Sequence, residues 1–212
     1  MRTVQYKRFP LGKLWTNGYL FWDEGGEAFF IDPGGDAREV LEFVRSQGLK
    51  LRAVLLTHGH VDHFAGLGDL LPLVGGEVYI SRDDADMIRR PSEAMQSALR
   101  IRCESVADFH EISEGNVLEI GAFRIEVLET PGHTPGGVCY LIREGGECIL
   151  ASGDTLFAQS VGRTDLTGGE PSKLDDSLRK LSKLPDSLVV LPGHGPETTI
   201  GEERQHNPFW PV

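Results

Sequence analysis

Residues 51–56 are apolar except for Arg52, and they pass without a spacer into Thr57 His58 Gly59 His60 Val61 Asp62 His63. A strand that is apolar on both faces must be covered on both faces, so the chain has to place helices or a second sheet over each side of it. Four potential metal ligands, His58, His60, Asp62 and His63, then stand where that strand ends, the place where a rigid scaffold presents chemistry. On an extended segment His58 and His60 point the same way, while Asp62 and His63 fall at the entry to a helix and can turn toward a second position. Neutral imidazoles and carboxylates suit Zn²⁺, Fe²⁺ or Mn²⁺, and the motif has no cysteine that would indicate a closed, thiolate-rich zinc.

Similar loops follow downstream. Thr130 Pro131 Gly132 His133 Thr134 and Leu191 Pro192 Gly193 His194 Gly195 are Pro-Gly-His turns after apolar runs, and Ser152 Gly153 Asp154 sets a carboxylate at another strand end. Five of the seven histidines are thereby placed in strand-end loops. His110 and His206 have no such context.

Around these loops the pattern predicts strands at 3–9, 18–22 and 27–31 as an antiparallel meander, then a helix capped by Asp36 and Glu39 and ending at Gly48. A helix at 64–71 and a strand at 77–80 come next. A helical stretch at 82–102, interrupted by Pro91, reads as a helical insertion around 82–110. Strands at 117–120, 123–128, 137–142 and 148–151, a helix at 172–184 and a strand at 188–191 complete the set. No linker divides the chain, so 1–212 is expected to form one domain of two sheet-forming halves, each ending in helices.

Composition narrows the function classes. The 26 glycines and 12 prolines fit many short elements joined by tight turns. With 21 Lys and Arg against 32 Asp and Glu the net charge is -11, which repels nucleic acid. No apolar run approaches the roughly 20 residues of a membrane span. The start of the sequence lacks the apolar core of a signal peptide, so a cytoplasmic location is expected, and Cys103, Cys139 and Cys148 read as reduced thiols.

The set HxHxDH, His133, Asp154 and His194, from about residue 32 onward, resembles the metallo-β-lactamase superfamily. That resemblance implies an α+β fold, an αββα four-layer sandwich of two mixed β-sheets flanked by helices, with metals at one edge. It implies that His58, His60 and His133 hold one metal, that Asp62, His63 and His194 hold a second, and that Asp154 bridges them. Asp32 matches the family's first motif, as a group that orients a ligand histidine.

More narrowly, Ser152 Gly153 Asp154 Thr155 Leu156 Phe157, Gly162 Arg163 Thr164 Asp165, and His206 Asn207 Pro208 Phe209 resemble short bacterial hydrolases of the glyoxalase II (hydroxyacylglutathione hydrolase) type. The implied reaction is hydrolysis of a small thioester, S-lactoylglutathione-like, by a hydroxide shared between two divalent ions, zinc first among them, held and oriented by Asp62 and Asp154. Arg163 is the expected contact for an anionic substrate group. Full-length glyoxalase II carries a C-terminal helical domain that holds glutathione, whereas this sequence ends at Val212, so the thiol is left open. Persulfide dioxygenases of the same superfamily share the Gly-Arg-Thr-Asp loop but use one iron, with a Gly-Cys pair ahead of the loop where this chain has Gln159 Ser160 Val161. A lactonase or other small esterase is the remaining alternative.

Overall fold

The computed structural model of the chain describes residues 4–74 and 77–211. Two six-stranded mixed sheets lie face to face with helices on their outer sides. The first sheet runs β1 (Gln5–Leu11), β2 (Thr16–Trp22), β3 (Glu27–Ile31), β4 (Lys50–Leu55), β5 (Val78–Ser81) and β6 (His110–Ile112) in sequential order. Its first three strands are the expected antiparallel meander, and β3 to β6 are parallel. Thr3, the expected start of the first strand, lies outside the described residues.

The second sheet contains β7 (Val117–Ile120), β8 (Phe123–Glu129), β9 (Val138–Glu144), β10 (Glu147–Gly153), β13 (Val189–Pro192) and β14 (Thr198–Thr199), in the order β14-β13-β10-β9-β8-β7. A small hairpin of β11 (Leu156–Phe157) and β12 (Ser160–Val161) follows β10.

The two-residue period of the strands sorts their side chains into three apolar layers. Tyr19, Phe21, Phe29, Ile31, Ala53 and Leu55 face the second sheet, where they meet Phe123, Ile125, Val127, Tyr140 and Ile142. The alternate residues Leu20, Ala28, Phe30, Val54 and Leu56 face outward, under α1 (Arg38–Ser46), α2 (Val61–Phe64) and α3 (Leu67–Val74). Cys139, Leu141, Leu150 and Val190 face the other way, under α6 (Pro171–Leu181) and α7 (Ile200–His206). This is the αββα sandwich, and β4 is covered on both faces as its apolar run required.

Strand direction decides where the loops gather. The parallel β3, β4 and β5 deliver Asp32, the His58–His63 loop and the Arg82–Asp84 turn from their carboxyl ends at one edge. In the second sheet β13 is parallel to β10, and β8 shares that direction because both are antiparallel to β9. His133, Asp154 and His194 therefore leave by one edge as well. Bonds tie the sheets there, among them those from Val138 N–H to the Thr57 carbonyl at 2.9 Å, from the Tyr140 hydroxyl to the Leu56 carbonyl at 2.7 Å and from the Tyr19 hydroxyl to the Pro192 carbonyl at 2.9 Å.

Several expected boundaries move. The helix foreseen at 64–71 is two pieces, α2 and α3, because the Gly66 N–H donates to the Pro33 carbonyl at 2.8 Å instead of continuing the helix, and only glycine fits there, since a Cβ would sit 1.8 Å from the Gly35 carbonyl oxygen. Asp36 does not cap α1: Ala37 is the cap position, and the Asp36 carboxylate is bound by Arg38 instead. The insertion around 82–110 is only partly helical. A 3-10 turn (Arg82–Asp84) runs straight into α4 (Ala85–Arg89), Pro91 separates α4 from α5 (Glu93–Leu99), and the chain then runs irregularly into β6, which sequence patterning missed. No helix among the described residues is long and apolar enough to cross a membrane.

The Phe123 ring is 1% exposed and packs edge-on to Phe29 and Phe21 of the opposite sheet, with centroids 5.2 and 6.3 Å away. Phe123→Ala is expected to cost about 3–5 kcal/mol in urea unfolding, since the cavity opens between two sheets that cannot both collapse into it. A loss below about 1 kcal/mol would show that the sheets do not interlock there.

Candidate metal centre

All seven residues expected as ligands meet at the carboxyl edge. His58, His60 and His133 form one triad, and Asp62, His63 and His194 form another, with the candidate ligand atoms of each within 4.8 Å of one another. In the first triad His60 Nδ1 lies 3.1 Å from His58 Nε2 and 3.0 Å from His133 Nε2. In the second, His63 Nε2 lies 3.4 Å from His194 Nε2, and Asp62 Oδ2 is 3.5 Å from His194 Nε2.

The Asp154 carboxylate reaches both triads. Its Oδ1 is 3.4 Å from His63 Nε2, and its Oδ2 is 3.5 Å from His133 Nε2 and 3.6 Å from His194 Nε2. A Cβ at Gly193 would fall 2.3 Å from Asp154 Oδ1, which is why glycine precedes His194.

The bonds on the far side of each ring fix which nitrogen faces inward. His63 Nδ1–H donates to Asp32 Oδ2 at 2.9 Å, and His133 Nδ1–H donates to the Arg163 carbonyl at 2.7 Å. His194 Nδ1–H points to the Leu14 carbonyl at 3.3 Å. The Thr57 hydroxyl donates to Asp32 Oδ2 at 2.6 Å and so accepts from His58 Nδ1–H at 3.1 Å. In neutral rings anchored this way the four Nε2 atoms carry lone pairs, not protons, and all four face the cluster.

Lone pairs crowded at about 3 Å repel unless something positive lies between them. Asp154 Oδ1 adds a buried oxygen with no hydrogen-bond partner among the described residues. This donor set fits divalent cations: nitrogen and carboxylate oxygen, no thiolate, and a hydrogen-bonded support behind each anchored ring.

Electrostatics divides the two triads. Burial, reinforced by the neighbouring imidazoles, pushes His58 well below its ordinary value and His60 down to about 3. Both stay neutral, as ligands must. Burial would also lower His63, but Asp154, Asp32 and Asp62 outweigh it and raise the ring to about 10. For Asp62 burial opposes ionisation, yet His63 and His194 hold its carboxyl well below the usual range. Three carboxylates around one histidine make a cation hole that a proton fills when no metal does.

Asp32 is 1% exposed and adopts φ 52°, a left-handed conformation that an L-residue holds only when its surroundings enforce it. Thr57 N–H at 2.8 Å, the Thr57 hydroxyl and His63 supply that enforcement. Arg163, expected to meet an anionic substrate group, serves the site here through its backbone. Its guanidinium is paired with Asp165 through two bonds of 2.6 and 2.7 Å at the surface, while its carbonyl orients His133.

Sequence reasoning missed Thr57, Leu14 and Asp84. Asp84 is fully buried and accepts from Gly59 N–H and Gly136 N–H. Only its place in a strand-end turn could have pointed to it. Leu14 acts through its backbone carbonyl, which leaves no trace in residue type. The rim near His194 is apolar, with the Phe157 ring 6.2 Å from the imidazole and Trp15, next to Leu14, 71% exposed.

Fold and site together define an αββα protein whose histidine–carboxylate cluster is built for divalent cations. The chain belongs to the metallo-beta-lactamase superfamily, whose family model matches residues 12–194. A probable metallo-hydrolase of Bacillus subtilis is 35% identical over 208 residues, 97% of each chain. Hydroxyacylglutathione hydrolase GloC of Haemophilus influenzae is 34% identical over 203 residues, 94% of this chain and 95% of its own. Among solved structures, the B3 metallo-beta-lactamase BLEG-1 superposes with a TM-score of 0.89 at 38% identity, covering 97% of this chain and 99% of its own. TTHA1623, solved in a di-iron-bound form, gives 0.85 at 34%, covering 96% and 99%.

Metal uptake should release a proton. In the metal-free protein His63 is protonated up to about pH 10, and it must be neutral to ligate, so Zn²⁺ added at pH 8 displaces that proton. The sign for stability follows. The raised His63 stabilises the metal-free fold fully below its unfolded value near 6.5, and this contribution is lost as pH climbs through about 10. Calorimetric titration in buffers of different ionisation enthalpy reads the proton count, and zero release at pH 8 would contradict the assignment.

Proposed function

We propose that this chain is a metal-dependent hydrolase that cleaves a small thioester of the S-lactoylglutathione type, in the cytoplasm. In this reading His58, His60 and His133 hold one cation, Asp62, His63 and His194 hold another, and Asp154 is shared. The observation that carries it is the convergence of two complete triads on one carboxylate whose oxygens face both. When bound, two divalent ions lower the pKa of a coordinated water to about 7 and polarise a substrate carbonyl. Zn²⁺ fits this ligand set, and the di-iron form of a 34% identical structure supports Fe²⁺ as an alternative.

The chain's own residues do the positioning. Asp32 keeps His63 in the tautomer that presents Nε2, and the Arg163 carbonyl does the same for His133. Asp62 and Asp154 offset the positive charge of the pair and hold the attacking water by their oxygens. The hydroxyls that touch the cluster are both engaged, Thr57 with Asp32 and Thr16 with Asp62, so water rather than a side-chain nucleophile is left to attack. A thiolate leaves without a strong general acid, and the cluster offers none.

The hydroxyacylglutathione hydrolase from Haemophilus influenzae, alike over nearly its whole length, supports the thioester class. Arg163 is proposed to meet an anionic group of the substrate by exchanging its exposed partner Asp165. The apolar rim of Phe157 and Trp15 suits the acyl side.

The test is a rate measurement on protein stripped of metal and reloaded with Zn²⁺ or Mn²⁺, offered S-lactoylglutathione, a lactone, and glutathione persulfide with O₂. Thioester cleavage is expected. Asp154→Ala should retain about one cation and lose more than the 10–100-fold that outer-shell changes cost. An unchanged rate in that variant contradicts the shared-carboxylate reading, and one iron per chain with O₂ uptake would replace the hydrolase by a dioxygenase.

A further inference from the structure

Asp84 is no member of the ligand set, yet it touches both loops that carry the first triad. Its Oδ2 accepts Gly59 N–H at 2.9 Å, between His58 and His60, and its Oδ1 accepts Gly136 N–H at 2.7 Å, just past His133. Helix capping does not account for it. Asp84 stands at the N-cap of α4, but its side chain makes no cap bond. Among the described residues no Lys or Arg pairs with this fully buried carboxylate either.

Backbone contact is close on both sides of the clamp. A Cβ at Gly136 would fall 2.5 Å from Asp84 N and 2.9 Å from Asp84 Cγ, and a Cβ at Gly59 would fall 2.5 Å from Met87 Cβ. The two loops come from different sheets, since His58 and His60 follow β4 and His133 follows β8. Their nitrogens must nevertheless meet at 3.0 Å. The second triad has other supports, namely Asp32 behind His63, the Leu14 carbonyl behind His194 and the Thr16 hydroxyl 3.4 Å from Asp62.

We propose that Asp84 is a positioning residue for the first triad alone, a double acceptor that sets the distance between the His58–His60 loop and the His133 loop. The proposal rests on the reading that each triad holds a cation, and it adds that the first triad has a support of its own beside Asp32, which stands behind His63 and, through the Thr57 hydroxyl, behind His58. The Arg82–Asp84 turn is thus part of the metal site's frame, where sequence patterning read the start of an insertion.

Asp84→Asn keeps size and shape but turns an NH₂ donor toward one of the two buried N–H groups. It is expected to weaken the first cation about 10–100-fold and leave the second unchanged. Competition titration with Zn²⁺ against a chromophoric chelator measures this, with His60→Ala and Asp62→Ala as references for loss of each site. Asp84→Asn should pattern with His60→Ala. If both cations weaken alike, or if neither does while the melting temperature of the metal-free protein falls, Asp84 is merely structural and the proposal fails.

Hydrogen exchange on the unmutated protein gives a second reading that needs no variant. The Gly59 and Gly136 amides should exchange only through global unfolding, and fast exchange at either one overturns the clamp. An unmutated protein that takes up fewer than two Zn²⁺ overturns the two-cation reading itself, and the clamp's role with it.

Discussion

Five imidazole nitrogens and two carboxylates compressed into one buried cluster are an unstable arrangement by themselves, and the rest of the structure exists around that fact. Each anchored ring is turned inward by a bond on its outer nitrogen, to Asp32, Thr57, Arg163 or Leu14. Lone pairs are thereby driven together instead of being paired with donors. The arrangement is tolerable only with positive charge at its centre. The titratable groups respond in the same sense, with burial and neighbouring imidazoles keeping His58 and His60 neutral and the surrounding carboxylates trapping a proton on His63.

The fold makes such convergence possible because strand direction, rather than sequence proximity, decides what meets. Parallel pairing of β3 with β4 and of β10 with β13 brings four strand ends to one edge, and the antiparallel excursion through β9 returns β8 to the same direction. The inter-sheet layer of Phe21, Phe29, Phe123 and Tyr140 holds the two edges in register, and the Tyr140 hydroxyl bond to Leu56 carries that packing directly to the residue before Thr57. Packing and chemistry are joined at that bond.

Much of this was legible in the chain itself. The apolar strand ending in His58–His63 announced both the layered fold and the cluster, because burial on two faces and ligand spacing are local properties of sequence. His133, Asp154 and His194 each follow an apolar run, but such turns mean little singly, and their place in the ligand set came from their order after HxHxDH and the family resemblance it carries. What escaped depends on tertiary geometry. The Leu14 carbonyl acts without its side chain, Asp84 sits in a charged run that patterning reads as the start of a helical insertion, and β6 is too short for its period to show. For Arg163 the sequence left two partners open, an anionic substrate group or a neighbour such as Asp165, and its guanidinium is paired with Asp165 two residues on.

The most direct measurement is anomalous diffraction from crystals loaded with Zn²⁺, collected on both sides of the zinc edge. The account requires two peaks. One should border His58 Nε2, His60 Nδ1 and His133 Nε2, the other Asp62, His63 Nε2 and His194 Nε2, with Asp154 beside both. A single peak, or a histidine among these that binds through the nitrogen assigned here to Asp32, Thr57, Arg163 or Leu14, would contradict it.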